Sequence, residues 1–220
     1  LTHCIVMQLP HIISDVWTEH ILMEDLAELY TAFRESRAPL LPELKVRYVD
    51  YAGWSRERLE SGAMHPQRDY WLQRCAEVEP VPLSRIRDGI GEFDAGGGAI
   101  ERLPGELMER LRQLARQHGA TLFAVMLASF QTLLARLTGA TDIPVGTAVS
   151  GRTHPDLERL AGFFMNPLCL RSDLSGNPTF PELLGRVRQT VLGALAHQDS
   201  PFQQWLHALR RQEGRTDLHP

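Results

Sequence analysis

Residues 9–18, LPHIISDVWT, place His11 four positions ahead of Asp15, with Ile12, Ile13 and Ser14 between them. Histidine has the ordinary side-chain pKa nearest neutrality, so it takes and returns a proton at working pH. An aspartate close by can fix the loop or hold the ring through a carboxylate contact. A short turn after a strand keeps both groups at one end of a sheet. The chemistry on offer is general acid–base catalysis. The HxxxD spacing is short and arises by chance, so an ordinary loop histidine between strand and helix fits the same residues.

Other chemistries find no local pattern. There is no GxxxxGKS/T phosphate loop, and Gly89, Gly91 and Gly96 to Gly98 do not make GxGxxG. HExxH is absent, and the 9 histidines lack metal-ligand spacing, so no metal site is expected. Ser150 stands beside Gly151 without the GxSxG elbow. Cys4, Cys75 and Cys169 are odd in number and far apart, which reads as free thiols in a reducing, cytoplasmic setting.

The chain has 220 residues, 43% apolar and 23% charged, enough for one large domain or two small lobes. A net charge of −4 gives no basic footprint for nucleic acid. Arginine predominates over lysine, with Lys45 the single lysine, a composition bias rather than a binding surface. The longest apolar run, Leu122 to Leu137, is broken by Ser129, Gln131, Thr132 and Arg136, so it reads as a buried helix and no membrane span is expected. A start at Leu1 without methionine, and an end at GRTDLHP, read as a piece of a longer polypeptide.

Elements must position the His11–Asp15 pair. The β-branched, apolar run HCIVMQL at 3–9 predicts a mostly buried strand closed by Pro10. Leu22, Leu26, Leu29, Tyr30 and Phe33 predict a helix over 17–34 with one apolar face, capped by Asp15 or Thr18. Short helices follow near 49–60 and 66–77, the first packing through the aromatics of YVDYAGWSR. Residues 78–98 lack any period and carry many breakers, the pattern of a connector between two lobes. A strand at 99–103 then leads to a helix opened by Pro104 and stopped by Gly119. Thr121 caps the apolar helix to Thr138, and strands follow at 142–150 and 166–174, with Phe163 and Phe164 expected as a buried pair. Thr179 and Glu182 form a capping-box pattern for a helix to about His197. Asp199 and Ser200 precede a last helix as its expected cap. Mixed strands and helices in two layers make the fold class α/β.

Four runs, in this order, resemble the condensation domains of nonribosomal peptide synthetases. PHIISDVW is similar to the family's HHxxxDG motif, YVDYAGWSR to YxDYAxWQR, GFFMNPLCLRSDLS to GFFVNTLVLRTDLS, and AHQDSPFQQWL to HQDxPFExLV. The resemblance covers essentially the whole chain. It implies a chloramphenicol acetyltransferase-like fold of two lobes. Residues 1–80 would be the end of the first lobe with the active-site loop, 81–98 the connector, and 99–220 most of the second lobe. It implies amide formation between a donor thioester and an acceptor amine, each carried on the phosphopantetheine arm of a carrier protein. An adenylation domain would adjoin, and the domain itself would bind no cofactor.

On this resemblance His11 is the catalytic residue, as base or as oxyanion donor. Asp15 is structural, pairing with an arginine outside this chain, and Ser14 supports the loop. Asn166 and Val16 fall beside the substrate tunnel. The motif is degenerate: Pro10 replaces its first histidine and Val16 its glycine. If the latter position needs positive φ, a β-branched residue there costs on the order of 1–3 kcal/mol. Two alternatives accompany the main reading: a catalytically impaired platform for carrier proteins or tailoring enzymes, and an acyltransferase to a free alcohol or amine.

Overall fold

A computed structural model of the protein describes residues 3–83, 98 and 100–214. Its elements are α1 (Val16–Arg34), α2 (Tyr48–Glu60), α3 (His65–Arg74), α4 (Gly105–Gln117), α5 (Leu122–Thr138), β1 (Asp142–Val149), β2 (Asn166–Asp173), α6 (Phe180–Ala196) and α7 (Phe202–Glu213). Most of the expected connector, 84–97, lies outside the described residues.

The helices begin where local chemistry can satisfy their first amide groups. Asp15 holds extended backbone and accepts from the Thr18 amide at 2.8 Å, opening α1. Thr121 does the same for α5 through the Ala124 amide. Thr179 and Glu182 close a reciprocal capping box on α6.

β1 and β2 pair antiparallel, from Asp142 opposite Asp173 to Val149 opposite Asn166. Buried Gln131 of α5 donates its amide to the carbonyls of Ile143 and Leu170, tying the helix to both strands. Around this pair, Val125 and Ala128 of α5, Leu168 and Leu170 of β2, Leu184 and Val187 of α6, and Trp205 and Leu209 of α7 form one core. Trp71 of α3 joins it, stacked on Trp205 at 5.4 Å with its indole N–H donated to the His197 carbonyl. The segment before the connector therefore packs onto the segment after it.

Several sequence expectations fail, each for want of a tertiary partner. Residues 3–9 form no strand and are exposed apart from half-buried Leu9, because among the described residues only β1 and β2 pair. Of the strand expected at 99–103, Ala99 lies outside the described residues and 100–103 are unpaired, with Ile100 98% exposed. Helix α1 forms as expected, but Leu29, Tyr30 and Phe33 of its expected core face are exposed, and it buries Thr18, Ile21 and Ala32 instead. Helix α5 is buried on one side only, since Phe123, Met126, Phe130, Leu133 and Leu137 face outward. Of the aromatic pair, Phe164 is buried and Phe163 half-buried.

Candidate active site

The five residues Pro10 to Ser14 form a tight turn closed by three hydrogen bonds. The Ile13 amide donates to the Pro10 carbonyl at 3.1 Å, and the Ser14 hydroxyl donates to the same oxygen at 3.1 Å. The His11 ring closes the turn through Nδ1, 2.7 Å from the Ser14 carbonyl. A carbonyl only accepts, so Nδ1 carries the hydrogen, and neutral His11 presents its lone pair on Nε2. His11 is exposed while Ser14 is buried, so the turn is anchored at its base and offers the ring at its tip. Pro10 contributes its carbonyl, for which proline serves as well as any residue.

Asp15 follows at once and is only 3% exposed. Its carboxylate accepts from the Thr18 amide and from the Phe164 amide at 3.1 Å. It also takes a two-pronged contact from the Arg152 guanidinium, at 2.8 Å and 3.1 Å. The expected partner outside the chain is thus replaced by an arginine of this chain, just beyond β1. Arg152 further donates to the Thr18 hydroxyl and to the Leu160 and Gly162 carbonyls, and lies 4.3 Å over the Phe164 ring. Burial pushes the Asp15 carboxyl up, but Arg152 and the two amides outweigh it and hold the pKa at about 2. Asp15 remains an anion throughout the neutral range and makes no hydrogen bond to His11. It is a structural anion, the pin between the histidine turn and the 150–164 loop.

Val16 is the first helical residue of α1, and its φ is not positive, so the strain anticipated from valine at a glycine position does not arise. The residue is 78% exposed.

The 162–166 segment carries the other side of the site. The Phe163 ring meets the His11 ring edge-on, with centroids 5.5 Å apart. Tyr48, at the start of α2, donates its hydroxyl to the Phe163 carbonyl at 2.7 Å. Burial and the charge of Asp15 push the Tyr48 phenol up, so it stays a donor. The aromatics of α2 therefore pack on this segment, Tyr51 against Phe164 at 4.6 Å. A cavity of about 230 Å³ opens between them, lined by Tyr51, Trp54, Phe163, Asn166 and Asp199 among others.

Asn166 uses its whole amide in structure. Nδ2 donates to the Gln198 and Ser200 carbonyls, both at 2.8 Å, and Oδ1 accepts from the Phe202 amide at 2.9 Å. Helix α7 starts at Phe202, and no side chain at its N-cap bonds to it. The cap expected from Asp199 and Ser200 is supplied across the fold by Asn166. Sequence reasoning singled out neither Arg152 nor Thr18 as a partner of the carboxylate, and it read Tyr48 only as one of several packing aromatics. A charge that buries beside a carboxylate leaves no mark in an arginine-rich sequence.

Known proteins of one family resemble nearly the whole chain. The condensation-domain family model matches residues 2–219. The chain is 42% identical over 207 residues to a linear gramicidin synthase of Brevibacillus parabrevis, spanning 93% of this chain and 3% of that protein. It is 38% identical to phosphinothricin tripeptide synthetase PhsB of Streptomyces viridochromogenes, across 93% of this chain and 17% of that protein. Among solved structures, it superposes on the first condensation domain of the calcium-dependent antibiotic synthetase with a TM-score of 0.73. That match has 27% identity and covers 94% of this chain and 45% of that one. The X-domain from teicoplanin biosynthesis is similar to the same degree, with a TM-score of 0.73 and 29% identity, covering 90% of this chain and 46% of that chain. A match along nearly its whole length, on a chloramphenicol acetyltransferase-like fold, means that this chain belongs to the condensation-domain family of nonribosomal peptide synthetases.

Proposed function

We propose that this chain carries the catalytic histidine of an amide-forming condensation domain. The observation that supports the reading best is the His11 turn, whose Nδ1–H bond to Ser14 leaves Nε2 as the basic atom. A thioester is already activated, so the domain needs mainly to align two tethered reactants and move one proton. The acceptor amine attacks the thioester carbonyl carbon, and Nε2 takes the proton that the nitrogen sheds. The tetrahedral intermediate then collapses, the C–S bond breaks, and the imidazolium returns its proton to the departing sulfur. Its Nε2–H is also a donor to the oxyanion while that charge lasts.

The substrates are acyl and aminoacyl groups on the phosphopantetheine arms of carrier proteins, with an adenylation domain adjoining. The domain binds no cofactor of its own. The division into lobes at 1–80 and 99–220, the place of Val16 and Asn166 beside the substrate tunnel, and a cytoplasmic setting belong to the same proposal.

The test uses the longer polypeptide that contains this chain, with donor and acceptor carrier proteins loaded. Amide product is followed by intact-protein mass spectrometry. His11→Ala is expected to slow it roughly 100- to 10,000-fold. An unchanged rate in His11→Ala would remove the histidine from the chemistry. A solved complex of an X-domain with OxyB is among the structural neighbours. If the native protein forms no amide, the platform reading takes the lead.

A further inference from the structure

We infer that Tyr48 is a positioning residue for His11, acting through the Phe163–Phe164 peptide; the inference deepens the amide-forming reading of the site and rests on it. Tyr48 lies outside the histidine loop, on α2, yet it grips the segment that both site residues lean on. Its hydroxyl donates to the Phe163 carbonyl at 2.7 Å. Its ring lies so close over Gly162 that a Cβ there would sit 2.1 Å from the ring carbon Cδ2. The same ring meets Phe164 edge-on at 5.1 Å.

The two residues that Tyr48 holds face the site in different ways. Phe163 presents its ring to His11, and Phe164 gives its amide to Asp15. The Asp15 contact is over-determined, because Arg152 and the Thr18 amide hold that carboxylate as well. The His11 contact is not. Among the described residues, the ring bonds within its own turn and meets Phe163 outside it, and the orientation of Phe163 follows the peptide that Tyr48 fixes. Loosening that peptide lets the imidazole swing about its Nδ1 bond and takes Nε2 off line, while the Asp15 pin and the fold remain. Misplacement of a catalytic group by about 1 Å costs up to roughly 100-fold in rate.

The experiment compares native, Tyr48→Phe, Phe163→Leu and the double variant in the longer polypeptide. Steady-state amide formation is measured with each carrier protein varied. Alongside it, histidine-selective NMR follows the His11 ring signals, assigned by their loss in His11→Ala. Tyr48→Phe keeps the ring over Gly162 and deletes only the hydroxyl, so it is expected to fold. It should lower kcat about 3- to 10-fold, with KM for both carriers within about twofold. It should also shift the His11 signals in the direction that Phe163→Leu does. The double variant should be no slower than Phe163→Leu, because one path carries both effects. An unchanged kcat, unmoved His11 signals, or losses that multiply in the double variant would each overturn the inference. If the native protein makes no amide, the amide-forming reading fails by itself, and the NMR comparison still decides whether Tyr48 sets the His11 ring.

Discussion

Asp15 illustrates how one buried charge couples the site to pH. Its pKa falls from an ordinary 3.8 to about 2 on folding, so the folded state binds its proton less readily than the unfolded chain does. The stabilisation is therefore complete above about pH 4 and is lost as pH falls through about 2. It amounts to roughly 2 kcal/mol. Urea unfolding followed from about pH 5 down to about pH 2 should show this loss in the native protein and a flatter profile in Asp15→Asn. At neutral pH the same variant leaves the Arg152 guanidinium buried opposite a neutral amide, and should lose about 3 to 5 kcal/mol. A loss below about 1 kcal/mol would show that water enters to solvate Arg152.

At the scale of elements, the site is assembled where the loop after β1 folds back on the residues before β2. Gly151 makes that return possible. Its φ is +67°, and a Cβ there would lie 2.0 Å from the Phe164 carbonyl oxygen, a backbone atom that cannot swing aside. Gly151→Ala should destabilise the fold by about 2 kcal/mol or more, measured by thermal unfolding, through strain and a displaced Phe164. Because the Phe164 amide bonds Asp15, amide formation should fall together with stability. A thermal midpoint within a degree or so of native would mean that the two loops are free to separate. The histidine turn is docked on the same loop through α1: the Trp17 indole donates to the Glu158 carbonyl, and Arg159 pairs with Glu24 and Asp25.

Over the whole molecule, the outward face of α5 stands apart. Phe123, Met126, Phe130, Leu133 and Leu137 line one side of the helix and are exposed. Phe123, Met126 and Phe130 also border an open apolar cavity of about 350 Å³ over Val145 and Leu170. A patch of this kind seeks cover. The chain spans about 45% of the condensation-domain chain on which it superposes. Produced by itself, it should self-associate in light scattering and bind an apolar dye, and Phe130→Lys should reduce both without lowering the thermal midpoint. A monomeric native chain that ignores the dye would show that the face is covered from within.

The amino-acid sequence carries what neighbours along the chain can settle. Helix starts at Thr121 and Thr179 were legible, and that of α1 was narrowed to Asp15 or Thr18, because a cap satisfies an amide within three residues. The family was legible because four short motifs keep their order along the chain. The spacing of His11 and Asp15 was visible, but not that the ring bonds Ser14 while the carboxylate bonds Arg152. Tertiary structure alone turned the carboxylate toward Arg152, 137 positions away, and turned Asn166 into the cap of a helix 36 positions on. It also left unpaired both the β-branched, apolar run at 3–9 and residues 100–103, since a strand exists only beside a partner. Local propensity and capping act over single turns of backbone. Burial of charge and pairing of strands depend on which distant residue arrives, and that follows from how the whole chain packs.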